Sequence, residues 1–187
     1  MHLFGFVSTL YSALLRGADV NAKDTVLKGP PGAFHNINGM NHLIGNPNRV
    51  WVPFRDGLLD EYQKPTLVVQ VKTFWSIFMD DPEWLVKTQK TLRVLEQGGK
   101  LENSRIDAFA AAISQLYGYM AFNSVTFGVL TTYKQTWIFH RKAGGESLLV
   151  SGPYDSGKTL IEVFLTVIRL SGLETTPATV SNSNLKS

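Results

Sequence analysis

GNPNRVWVPFRDGLLDEYQKPTLVVQVKT, residues 45–73, decides how the chain is read. Val50, Trp51, Val52 and Phe54 are β-branched or aromatic, interrupted by Pro53, and read as a strand near 49–54. Arg55–Pro65 carries charge, Gly57 and a closing proline, and reads as a surface turn. Thr66-Leu67-Val68-Val69-Gln70-Val71-Lys72 follows, an apolar run of strand length near 66–72 that ends on a polar-x-lysine pair. Side chains alternate across a strand, so Gln70 and Lys72 share one face while Val69 and Val71 share the other. Pro47-Asn48 stands where the first strand begins. By itself this pattern fits a core strand with a lysine at its exposed end, and it also fits a strand that carries polar groups to a site at the sheet edge.

Beyond Lys72 the run Thr73–Met79 is aromatic and apolar. Asp80-Asp81-Pro82-Glu83 then reads as a helix start, with an acidic cap, proline in the first turn and a helix to about Gln97 that stops at Gly98-Gly99. Lys87, Lys90 and Arg93 on it read as a solvated face, with a phosphate-binding stripe as the alternative. A second helix over 104–122 opens on Ser104-Arg105-Ile106-Asp107, a capping box with Asp in the glutamate position. Gln115 and Tyr119 lie four apart on it and so share a face. Strands near 125–131 and 136–142 flank a turn at Thr132–Gln135.

These elements together resemble the PD-(D/E)XK, restriction-endonuclease-like nuclease superfamily. Pro47-Asn48 stands at its Pro-Asp position, and Gln70-Val71-Lys72 at its Glu-x-Lys position. Gln115-Leu116-Tyr117-Gly118-Tyr119 on the following helix resembles the Gln-x-x-x-Tyr motif of RecB-type members. The text from Gln115 to Lys142 is similar to nuclease-like domains of fungal proteins, some joined to protein kinase domains or found in crinkler-type effectors; no kinase motif occurs in this chain. The resemblance covers about residues 45–170. It implies an α/β fold with a mixed central sheet flanked by helices, and metal-assisted hydrolysis of a phosphodiester in DNA or RNA. In such a site two carboxylates and a main-chain carbonyl hold Mg²⁺, and the lysine orients or activates the attacking water. Carried onto this chain, Lys72 keeps the lysine role, Val71 offers its carbonyl, and Asn48 and Gln70 offer neutral oxygens where the family has carboxylates. Gln115 and Tyr119 complete the candidate site.

Three functions follow as expectations. The first is a nucleic-acid-binding pseudoenzyme with weak or absent Mg²⁺ binding and impaired or lost cleavage. The second is an active nuclease that recruits Asp56, Asp60 or Glu61 from the connecting turn. The third is a non-catalytic protein-interaction module that keeps the fold. A fourth spelling competes with all of them: Gly152–Thr159 satisfies the phosphate-loop pattern between an apolar strand at Ser147–Val150 and a helix at Thr159–Leu170. Pro153 removes one N–H donor from that loop, the upstream segments do not repeat a βαβ unit, and the chain continues only to Ser187. A helix start with a coincidental spelling is the preferred reading.

The remaining segments carry less. Residues 3–16 read as an amphipathic helix without Asp or Glu, ended by Gly17. A secretory signal there lacks a basic start and a small-residue cleavage pattern. Residues 18–44, with Gly29-Pro30-Pro31-Gly32, read as loop with at most a short helix, and His35 and His42 as exposed loop histidines rather than a metal pair. Residues 174–187, rich in Thr, Ser and Asn, read as a disordered tail after a single domain at 1–173. At 187 residues, 44% hydrophobic and 18% charged, the chain has the size and composition of one globular domain. No apolar run reaches the length of a membrane span, so no membrane partner is expected. The absence of cysteine excludes disulfides and thiolate sites and leaves the compartment open, with an intracellular setting, cytoplasm or nucleus, as the favoured expectation. A net charge of +3 is compatible with nucleic acid. Oligomeric state is left open.

Overall fold

The computed structural model describes residues 32–36, 45, 47–54, 64–80, 83–99, 104–142, 147–155 and 158–173. Their six strands form one sheet in chain order: β1 (Gly32–His35), β2 (Arg49–Pro53), β3 (Leu67–Val71), β4 (Phe127–Thr131), β5 (Gln135–Arg141) and β6 (Leu148–Asp155). The helices are α1 (Trp84–Glu96), α2 (Arg105–Phe122) and α3 (Lys158–Leu173). Only β3 and β4 pair in parallel; the other neighbours are antiparallel. A parallel pair needs a crossover, and α1 with α2 supplies it between β3 and β4.

The central strands β2–β5 are buried on both faces, which explains their near-continuous apolar runs. Val50, Val52, Val68, Leu130, Trp137 and Phe139 pack with Phe109, Ile113, Leu116 and Met120 of α2. Trp51, Leu67, Val69, Phe127 and Val129 pack on the opposite side with Leu160, Phe164, Val167 and Ile168 of α3. The protein therefore has an α/β fold, a mixed central sheet with helices on both sides. The capping box at the start of α2 is formed as read: the Ser104 hydroxyl accepts from the Asp107 N–H at 3.1 Å, and the Asp107 carboxylate accepts from the Ser104 N–H at 2.9 Å. Among the described residues, no helix is long and apolar enough to cross a membrane.

Four local expectations are corrected. Gly32–His35, read as loop, is the edge strand β1, paired through Phe34↔Trp51. Its propensity is poor, and tertiary packing overrides it: Phe34 meets the Trp51 ring at 5.1 Å and the Phe164 ring at 5.8 Å. His35 is accordingly a half-buried strand residue and not an exposed loop histidine. The strand read at Ser147–Val150 runs on to Asp155 as β6, and its helix continues to Leu173. The helix after the aromatic run starts at Trp84, with Glu83 in the cap position and no side-chain cap bond, while Asp81 and Pro82 lie outside the described residues. The helix read at 3–16, His42, the turn bearing Asp56, Asp60 and Glu61, and the tail at 174–187 lie outside the described residues.

Candidate functional site

Register assembles the site. In the antiparallel β2–β3 pair Arg49 lies opposite Val69, so the next residue out, Asn48, reaches the end of β3. There the Asn48 side-chain oxygen accepts a hydrogen bond from the Val71 backbone N–H at 2.7 Å. Its own carbonyl accepts from the Arg49 guanidinium at 2.7 Å. Asn48 thus continues the β2–β3 pairing by one side-chain bond, with its oxygen committed to Val71.

Gln70 and Val71 separate as alternation requires. Val71 packs among the residues facing α3, while Gln70 is 2% exposed and points toward α2. Its amide meets that of Gln115. With the Gln70 amide turned about, its nitrogen donates to the Ala112 carbonyl at 3.2 Å and its oxygen accepts from the Lys72 ammonium at 3.0 Å. Lys72 Nζ also donates to Gln115 Oε1 at 3.1 Å. Either way the ammonium rests on an amide oxygen. Lys72 itself is fixed where the sheet ends, its backbone N–H donating to the Thr131 carbonyl at 2.9 Å.

The helix partner completes the cluster. One turn along α2 from Gln115, the Tyr119 hydroxyl lies 2.7 Å from the Gln115 amide. The Tyr119 ring lies against Gly45, which has φ of +91°; a Cβ there would overlap the ring. Asn48, Gln70, Val71, Lys72, Gln115 and Tyr119 are therefore brought together at the C-terminal edge of β3, on the side toward α2 for all but Val71. Gly45 is the member that the sequence reading did not single out. A glycine before an x-Pro-Asn start was its only local signal.

The donor set decides what chemistry the cluster can support. It offers an ammonium, amide groups and a phenol, and no carboxylate among these residues. Mg²⁺ prefers several hard, charged oxygens in near-octahedral array. Here the Asn48 oxygen is bonded to Val71, the Gln70 amide is bonded to its neighbours, and a fixed positive charge sits beside them. These residues do not fit a resident Mg²⁺. They suit an anion, such as a phosphate oxygen placed against Lys72.

The phosphate-loop spelling has a different fate. Tyr154 pairs with Thr136 and Asp155 with Gln135, so half of the eight-residue pattern belongs to an antiparallel edge strand. A phosphate loop needs successive backbone N–H groups converging on one point, which strand alternation denies. Comparison with protein-family models, curated proteins and solved structures finds no match to this chain.

Proposed function

We propose that the chain is a nuclease-like, nucleic-acid-binding domain of the PD-(D/E)XK type whose metal site is degenerate and whose cleavage is impaired or lost. One observation carries this reading: Gln70 and Lys72 of the β3 end and Gln115 and Tyr119 of α2 share one side-chain hydrogen-bonded cluster, and the Asn48 side chain bonds the Val71 N–H between the two β3 members. Chance matches to short motifs would not be expected to share a site. The roles follow from the chemistry of each group. Lys72 supplies the positive charge that holds a backbone phosphate. Gln115 and Gln70 fix that ammonium, and Tyr119 fixes Gln115. Asn48 joins β2 to the end of β3, so the strand bearing Gln70 and Lys72 keeps its register.

The test is binding and cleavage by the wild-type chain. Labelled DNA and RNA should be retained in a salt-dependent manner, with slow or no cleavage in Mg²⁺ or Mn²⁺, and Lys72→Ala should weaken binding. Robust cleavage lost on Asp56→Asn, Asp60→Asn or Glu61→Gln would show that carboxylates from the connecting turn had replaced the missing pair. Failure to bind any nucleic acid would leave a protein-interaction module.

A further inference from the structure

Past Lys72 the chain does not fold its aromatic residues inward. A turn holds Thr73–Ser76, with the Ser76 N–H and hydroxyl both donating to the Thr73 carbonyl, at 3.1 and 2.7 Å. This turn leaves Phe74 39% and Trp75 66% exposed, their rings edge to face at 5.0 Å. The segment is anchored just beyond. Ile77 and Met79 are buried, and the buried Gln135 side chain bonds the Met79 N–H at 2.8 Å and the Met79 carbonyl at 2.9 Å. The aromatic pair is thus held outward on a braced support. Single exposed apolar residues are ordinary, but a clustered and braced set marks a binding surface.

Two cations complete it. Lys134 Nζ lies 3.9 Å from the centroid of the Phe74 ring. Phe74, Trp75, Phe78, Arg105 and Lys134 line an open pocket of about 210 Å³, with no carboxylate among these described residues. The pocket is too small for a drug-sized ligand but suits one planar ring. It borders the candidate site: Phe74 and Lys134 follow the paired C-terminal ends of β3 and β4, at Val71 and Thr131. Arg105 lies about 15 Å along α2 from Gln115, by the helical rise.

We infer that this pocket is a stacking subsite for an unpaired base of single-stranded DNA or RNA, with Arg105 and Lys134 holding the adjacent phosphates. The inference rests on the nucleic-acid reading above and adds the strandedness of the substrate. Aromatic faces beside cations suit a base and its phosphate, whereas bases in a duplex are already stacked and cannot enter. An acidic peptide could meet the cations but has no need of the projecting indole.

The test is anisotropy of a labelled single-stranded oligonucleotide, as DNA and as RNA, against a duplex of the same sequence. Trp51 and Trp137 are fully buried and Trp84 is partly buried, so the part of the tryptophan quenching that is lost in Trp75→Ala reports on Trp75. The wild-type chain should prefer the single strand and show quenching. Trp75→Ala should weaken single-strand affinity roughly tenfold, in line with the loss of one stacked base, and leave duplex affinity and circular dichroism unchanged. Phe74→Ala should do the same, and Lys134→Glu should weaken both ligands. If Trp75→Ala and Phe74→Ala bind single strands like wild type while Lys72→Ala does not, the subsite is wrong and the nucleic-acid reading stands. If the wild-type chain binds no oligonucleotide, both fall. Binding of polyglutamate through Trp75 in place of any oligonucleotide would make the pocket a protein-docking face and also overturn the inference.

Discussion

Gln70 and Gly45 show how single positions hold the candidate site. An amide can be buried at position 70 because neighbouring polar groups satisfy it; a lone buried polar group would be costly. Gly45 contributes by lacking a side chain. Gly45→Ala should cost about 1–3 kcal/mol, from φ strain and from overlap with the Tyr119 ring, as measured by urea unfolding. In a double-mutant cycle, Tyr119→Ala should recover the overlap part only. Full additivity of the two changes would mean that Gly45 and Tyr119 do not touch. Two pairs within the candidate cluster were legible from short-range rules, whereas the approach of Asn48 to Val71 and of Gln70 to Gln115 is set by tertiary structure. Period two puts Gln70 beside Lys72, and the i, i+4 spacing puts Gln115 beside Tyr119. Gly45 and the outward turn at Phe74 and Trp75 were not, since only the tertiary structure says which ring a glycine seats or which aromatic residues face solvent.

At the scale of elements, the segment after β3 depends on Gln135. Removing this side chain leaves a buried N–H and carbonyl of Met79 unpaired, so Gln135→Leu should destabilise the fold by about 2–4 kcal/mol. A loss below about 0.5 kcal/mol would show that the brace is dispensable. Edge strand β1 carries a pH dependence. Burial lowers the His35 pKa below the ordinary 6.5, and its Nε2 has no hydrogen-bond partner. Above 6.5 the imidazole is neutral in folded and unfolded chains and its contribution is fully present. As pH falls from 6.5 toward the folded value, the unfolded chain takes up the proton first and stability is lost. The unfolding midpoint should therefore drop in that window, and the drop should shrink in His35→Gln. An unchanged drop would assign it to other groups. β1 was hidden in the sequence by the prolines before Gly32, and the part of β6 beyond Val150 by a motif whose spelling suggested a loop. In both, pairing with a neighbouring strand prevailed over local chain signals.

For the whole molecule, the parallel β3–β4 pair and its helical crossover are what bring Lys72, Gln115 and the aromatic turn to one sheet edge. The continuous apolar runs made the central strands legible, because strands buried on two faces leave such a text, while the mixed sheet flanked by helices was what the superfamily resemblance implied. The same architecture puts Gly152–Asp155 into strand β6, with Tyr154 and Asp155 paired to β5, so calorimetric titration with ATP and Mg²⁺ should show no saturable binding, and Lys158→Ala should change nothing. The central claim is that this fold keeps a nuclease-like site from which the metal-binding charges are gone. Titration of Mn²⁺ into the wild-type chain and into Asn48→Asp/Gln70→Glu, followed by cleavage of labelled DNA and RNA, tests it most directly. Each change swaps a neutral oxygen for a charged one of nearly the same shape, and Asp at position 48 can keep the bond to Val71 with one oxygen while offering the other. The account predicts no ion binding by the wild type, saturable binding by the double variant, and cleavage that disappears when Lys72→Ala is added. Tight ion binding and cleavage by the wild type, or a double variant that gains no ion affinity, would contradict it.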